Sequence, residues 1–149
     1  MPFLDAPDQI TTTLTDAGRN AFARALLGEI SIKIVGFNVG ASGYEDANPV
    51  KILPVTSAKA SLDAPIFPTT GFKPIESFER PYPYTLIVNC RLSSTEAVSA
   101  LGELGIYAEI VYSGTLSEIG TTFMFAYANM PMFTKTSRHV NLFRFITQF

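Results

Sequence analysis

The sequence predicts a mixed α+β domain: one N-terminal helix packed on a mainly antiparallel β-sheet or sandwich, with a long proline-rich arm at 40–83. Three observations carry this. A single segment shows a capped helical stripe, several later segments alternate in the manner of strands, and seven of the ten prolines fall between Gly40 and Pro83. Fixed φ angles and missing N–H donors at that density argue against a regular helix or a central strand there. At 149 residues the chain suits one domain spanning 1–149, large enough to bury a core without disulfides or metals.

In chain order, the lead to Leu14 is polar and punctuated by proline, with Thr11-Thr12-Thr13 suited to an extended arm. Thr15 reads as a helix N-cap, Asp16 complements the macrodipole, and Gly28 reads as the C-terminal cap. Ala17, Ala21, Phe22, Ala25 and Leu26 form the expected buried stripe. Ile30–Val39 follows as a strand whose inward set switches from Ile30, Ile32 and Ile34 to Phe37 and Val39. That change of parity predicts a bulge near Val35-Gly36. The segment 40–83 is expected to project as an arm or hairpin that contacts neighbours, with Val55–Leu62 open to an edge strand.

Tyr84–Leu92 alternates cleanly, with Cys90 among its apolar set. Glu103–Ile110, Thr122–Met130 and His139–Phe149 are the remaining strands, joined by 113–120 and by the Pro131-containing stretch 130–138. Phe123, Phe125 and Tyr127 favour a core. The small opposite face of Met124, Ala126 and Ala128 suits sheet-to-sheet or subunit contact.

Composition and residue types restrict function. Charged residues make up only 16% against 47% apolar, so solubilising charge is scarce, as in a subunit buried in a complex. The net charge is −2 and the lysines are scattered, which supplies no footprint for a nucleic acid. No stretch approaches the roughly 20 apolar residues of a membrane helix, and the start lacks a signal-peptide pattern, so neither membrane nor secretion is expected. The lone Cys90 reads as a buried thiol in a protein made in a reducing compartment.

One histidine, His139, cannot serve a nucleophilic triad or, with one cysteine, a zinc centre. Glu103 and Glu109 on one strand would stand roughly 20 Å apart, too far for a glycosidase pair at about 5–9.5 Å. No enzyme activity, cofactor, metal or small-molecule substrate is therefore expected.

The last strand is apolar on both faces, with Phe143, Phe145 and Phe149 on one and Val140, Leu142 and Ile146 on the other. A domain of this size has limited means to cover both. The expected partner-contacting residues are Phe143, Phe145 and Phe149 of that strand, together with Ile66, Phe67, Phe72 and Phe78 of the arm. A different class of reading is a glycan-binding module that recognises a host surface, with Tyr82, Tyr84, Tyr107 and Tyr112 as stacking platforms.

Three blocks, in order, resemble the phage tail-collar fibre family. The first is Leu14-Thr15-Asp16-Ala17-Gly18-Arg19 through Leu27, then Ile32-Lys33-Ile34-Val35-Gly36-Phe37-Asn38-Val39-Gly40. The second is Glu103-Leu104-Gly105-Ile106-Tyr107. The third is Phe125-Ala126-Tyr127-Ala128-Asn129-Met130-Pro131, with Lys135 close behind. The resemblance implies a structural virion protein of the tail or baseplate, made in the host cytoplasm, that docks to other tail proteins and associates with its own copies, commonly as a trimer. It implies no catalytic residues. Fibres of that family continue into a shaft and tip, whereas this sequence ends after its last strand. The expectation is thus a baseplate or fibre-adaptor subunit, with receptor recognition left to another protein. The stretch Ala108–Thr122 is also longer than the family's short acidic turn.

Overall fold

A computed structural model of the chain describes residues 11–46, 50–67 and 72–148. Its elements are β1 (Thr11–Leu14), α1 (Asp16–Leu26), β2 (Ile30–Gly40), β3 (Tyr44–Glu45), β4 (Lys51–Ile52), β5 (Lys73–Pro74), β6 (Ser77–Glu79), β7 (Thr85–Leu92), β8 (Ala100–Ser113), β9 (Thr122–Thr134) and β10 (Asn141–Gln148). A five-stranded sheet runs β1-β9-β8-β2-β5, a three-stranded sheet runs β10-β7-β6, and β3-β4 is a small hairpin. Every pairing between these strands is antiparallel. The principal core joins the two larger sheets. Phe37, Val39, Leu101, Leu104, Ile106 and Met130 of one meet Val88, Cys90 and Leu92 of the other. The molecule is thus mostly antiparallel β with one helix.

The helix begins and ends as its caps dictate. Thr15 Oγ1 accepts the Gly18 N–H at 2.9 Å and donates to the Met124 carbonyl at 2.6 Å, so one hydroxyl both caps α1 and fastens it to β9. At the other end Gly28 has φ +76°. Its N–H reaches the Ala25 carbonyl at 3.0 Å, and the Glu29 N–H reaches the Arg24 carbonyl at 3.0 Å, which is the Schellman pattern.

The buried stripe differs from the expected one. Gly18 and Ala21 are buried, whereas Ala17 is exposed and Leu26 is 79% exposed. The cause is close approach: a Cβ at Gly18 would lie 2.3 Å from the Phe125 carbonyl oxygen. The helix turns its glycine, not its leucine, toward the sheet.

The bulge in β2 is where the parity change puts it, with a register shift between Ile34 and Gly36 against β8 and a further one between Ser31 and Ile32. Gly36 also accommodates Phe72, whose ring a Cβ there would meet at 2.0 Å; that ring stacks on Tyr107 with centroids 5.5 Å apart. In β9 a second break falls at Phe125, between the Ile106–Ala126 and Tyr107–Met124 pairs. It splits the aromatic set: Phe125 packs toward the helix with Phe22, while Tyr127 joins Met124 and Leu62. The break divides the small set as well, Met124 lying with Tyr127 and Leu62 and Ala126 with Phe125, and Met124, Ala126 and Ala128 are all buried within the chain rather than left as one subunit face. The strand runs on through Pro131 to Thr134, and the irregularity between Leu101 and Glu103 absorbs the proline.

In the segment 40–83 no projecting arm is present among the described residues. These lie back over the body: β5 pairs with β2, β6 pairs with β7, and Gly40 bridges Pro65. Residues 53–67 form a strap across the larger sheet, held chiefly by side chains rather than by strand pairing. Asn38 bonds the Phe67 peptide twice, at 3.0 and 3.1 Å. The Tyr127 hydroxyl accepts the Thr56 N–H at 2.6 Å and donates to the Thr56 carbonyl at 3.1 Å. Asn129 Nδ2 donates to the Leu53 carbonyl at 2.9 Å, and Glu103 Oε1 accepts the Asp63 N–H at 2.8 Å. Leu62, 3% exposed, inserts below, and Lys59 lies 5.1 Å from the centre of the Tyr127 ring. An irregular backbone can lie on a sheet when its polar groups are supplied with partners in this way.

Candidate functional site

Exposed apolar side chains occur in several places among the described residues, with Leu26 and Leu27 at the end of α1, Leu116 beyond β8, and Leu142 and Ile146 on the edge strand β10. The residues of β10 alternate between half-buried and exposed, and the inward set contains Phe143 and Phe145. Both pack against the principal core, and Phe143 meets Phe133 with ring centres 6.0 Å apart. The expectation that these two phenylalanines face a partner is therefore corrected: the opposite set faces outward, with Leu142 and Ile146 each 56% exposed and Val140 just before them at 54%. The physical reason is packing. The gap between the sheets takes the larger rings, while Arg144 requires water on its own face. Arg144 was the signal in the sequence, since it shares parity with Leu142 and Ile146.

The rest of the expected contact set separates. Ile66 and Phe67 are half-buried against the principal core, and Phe72 lies over Gly36 and Tyr107. Phe78, on the short edge strand β6, is 51% exposed. Phe149 lies outside the described residues. Thus only Phe78 of the described candidates offers most of its side chain to solvent.

β10 is an edge strand, paired with β7 alone among the described strands. Beside it runs a cleft of about 390 Å³ between the edges of the two sheets, lined by Thr12, Ala128, Met130, Leu142, Phe143 and Ile146. A neighbouring hollow of about 350 Å³ continues it along Thr13, Leu14 and Arg19 toward Gln148. On the outer face, Arg144 lies 3.4 Å from Glu79, and Asn89 donates to Glu79 at 2.8 Å and to Ser77 at 3.0 Å. The Asn89 amide, with help from Arg144, holds the Glu79 carboxyl below its ordinary range. This combination of an open backbone edge, branched apolar side chains and a few anchored charges can accept an added strand or a packed subunit face.

Reactive chemistry is poorly served by the remaining groups. Burial pushes the Cys90 thiol up to about 12, leaving it an inert core residue. His139 Nδ1 lies 2.8 Å from the Thr136 hydroxyl on an exposed turn. Lys135 is 1% exposed and donates to the Ser93 and Ser94 carbonyls at 2.8 and 3.2 Å, a structural role in holding the 93–99 loop. Among the described residues no group of three His, Cys, Asp or Glu side chains is placed to hold a metal ion, and no helix is long and apolar enough to cross a membrane. Compared with family models, with curated proteins and with solved structures, the chain matches none of them.

Proposed function

We propose that this chain is a structural subunit of a phage tail, a baseplate or fibre-attachment component that works by being packed among copies of itself and other tail proteins. The observation that carries the reading is the outer face of β10, where Leu142 and Ile146, with Val140 just before them, are each more than half exposed on a strand whose second edge is unpaired among the described residues. The three sequence blocks that resemble the tail-collar fibre family supply the tail context. Burying these three side chains in a subunit contact would add about 1.5–3 kcal/mol each at full burial, and less in proportion to partial exposure.

Light scattering coupled to size exclusion tests it on the full chain. The wild type is expected to form a discrete oligomer at micromolar concentration. The Leu142→Lys, Ile146→Lys double variant is expected to be a folded monomer with an unchanged circular dichroism spectrum. A wild type that stays monomeric, or an oligomer indifferent to both substitutions, contradicts the use of this face. Gold-labelled antibody against the chain, imaged on tailed virions, tests the location.

A second reading rests on a separate observation. Tyr82 and Tyr84, 60% and 56% exposed, stack with ring centroids 6.2 Å apart at 15°. Such a platform suits a sugar ring. Tyr107 is withdrawn from that role by its stack with Phe72. Glycan-array binding abolished by Tyr82→Ala would favour a host-surface recognition module; no binding at millimolar glycan would eliminate it.

A further inference from the structure

Beneath the strap lie two buried acceptor oxygens, each without a donor among the described residues: Glu103 Oε2 and Asn129 Oδ1. The two residues are direct cross-strand partners of β8 and β9, so their side chains leave the sheet on the same face. Glu103 is 0% and Asn129 2% exposed. Each already uses its other end to hold the strap, Glu103 Oε1 at the Asp63 N–H and Asn129 Nδ2 at the Leu53 carbonyl.

Rotating the Asn129 amide does not help, because its oxygen would then oppose the Leu53 carbonyl. An ionised carboxylate here has an unsatisfied oxygen in a dry site, and its cross-strand partner carries a second unsatisfied acceptor, which is costly twice over. A single proton answers both deficits, since a neutral carboxylic acid carries an O–H donor.

We propose that Glu103 is held in its protonated form, with Oε2–H donated to Asn129 Oδ1, and that this bond is a pH-dependent latch fastening the strap to the sheet. The charged and titratable groups around it come from each neighbouring element. The strap contributes Lys59 and Asp63, which pair with each other at 2.7 Å. β8 contributes Tyr107, β9 contributes Tyr127 with its hydroxyl occupied at Thr56, and β3 contributes Tyr44, whose ring packs at Gly102. The neighbouring β2 positions, Asn38 and Gly40, are uncharged, and Gly40 leaves room for the carboxyl: a Cβ there would lie 2.6 Å from the Glu103 Cδ.

Burial is the largest influence and pushes the Glu103 carboxyl above the ordinary glutamate range, with the Asp63 charge adding to it against the opposing pull of Lys59 and of the Asp63 and Ala64 N–H groups. A folded pKa above the unfolded one contributes stability that is complete in acid and is lost as pH rises through the folded value. The latch is closed in acid and loosens as pH climbs.

Carboxyl-detected NMR titration of the full chain, assigned by comparison with Glu103→Gln, is the direct test. The Glu103 Cδ resonance is expected to titrate above the ordinary glutamate range; titration at or below that range overturns the proposal. In parallel, hydrogen exchange at Asp63, corrected for its intrinsic rate, is expected to lose protection in the wild type as pH rises through that midpoint. Glu103→Gln, whose amide places an N–H where the acid places its O–H, is expected to keep protection flat across the same range. Equal pH dependence in both proteins overturns the latch, and the wild-type titration decides the matter even if the variant fails to fold.

Discussion

Two faces of the sandwich solve the same problem in opposite ways. On the outer side of the larger sheet, Tyr107, Met124 and Tyr127 are covered by the protein's own strap, whose Leu62 inserts among them, and the strap's peptide groups are met by Asn38, Glu103, Tyr127 and Asn129. On β10 no described segment covers Leu142 and Ile146, and they stay more than half exposed. The difference teaches that burying apolar sheet under irregular backbone demands a matching set of polar side chains. Where those are present the strap closes over the sheet, and on β10, where no described segment brings them, Leu142 and Ile146 remain exposed.

The largest effects lie on the closed face, where geometry leaves no slack. Gly43 has φ +92°, and a Cβ there would lie 2.4 Å from the Gly102 carbonyl oxygen and 2.7 Å from Asn129 Oδ1. Gly43→Ala combines a left-handed backbone with a backbone clash, and should cost about 3 kcal/mol or more in urea denaturation. Gly120→Ala is the control. Its φ is +90° but open space surrounds the new methyl, so the cost should fall to about 1–2 kcal/mol. Equal losses at the two sites would mean that the turn before β3 is not pressed against β8 as described.

A second comparison is internal to β10. Phe143→Ala removes a ring from the core and should lose about 2–3 kcal/mol, whereas Leu142→Ala, one position away on the exposed face, should change the folded monomer by less than about 0.5 kcal/mol. Reversed magnitudes would restore the phenylalanines to the outer face. On the strap, Tyr127→Phe leaves the Thr56 N–H and carbonyl without their partner, and should cost about 1–2 kcal/mol while keeping the ring in place. Loss of exchange protection confined to residues near Thr56 would mark this as local release of the strap.

What the residues disclose in advance follows from how local the cause is. The helix ends are written in Thr15 and Gly28, and the β2 bulge in the parity change around Val35-Gly36, because each depends on a few consecutive residues. The strap is not written locally. Its attachments join Asn38 to Phe67, Tyr127 to Thr56 and Asn129 to Leu53, pairs 29, 71 and 76 residues apart with no periodicity to link them. Proline density argued against a regular helix or a central strand in 40–83, where the described residues form only the short strands β3 to β6, but it carried no information on where that backbone would lie. The last strand shows an intermediate case. Alternation separated its two faces, yet apolar content was nearly equal on both, and only Arg144 distinguished outside from inside. For the helix, Gly18, absent from the expected stripe, was the residue that set the contact, since it permits an approach to Phe125 that any side chain would prevent.

The smallest expected effect sharpens the contrast through pH. At the rim of the sandwich Lys73 of β5 donates to Glu96 Oε1, which also accepts the Ser93 N–H at 2.8 Å. The Lys73 ammonium, reinforced by that N–H, lowers the Glu96 carboxyl from 4.5 to about 2. A depressed folded pKa contributes stability that is present above the unfolded value and is lost as pH falls through the folded one, here between about 4.5 and about 2. Glu103 has the opposite sign, because burial rather than a cation governs it. The wild-type curve of unfolding free energy against pH should therefore fall at both ends. Glu96→Gln should flatten the acid limb and leave the rise-of-pH limb in place, while Glu103→Gln should do the reverse. Urea midpoints measured for both variants across the range separate the two carboxylates. A single substitution that removed both limbs would show that the rim clasp and the strap respond as one unit, and the division of the molecule into independently fastened faces would fail.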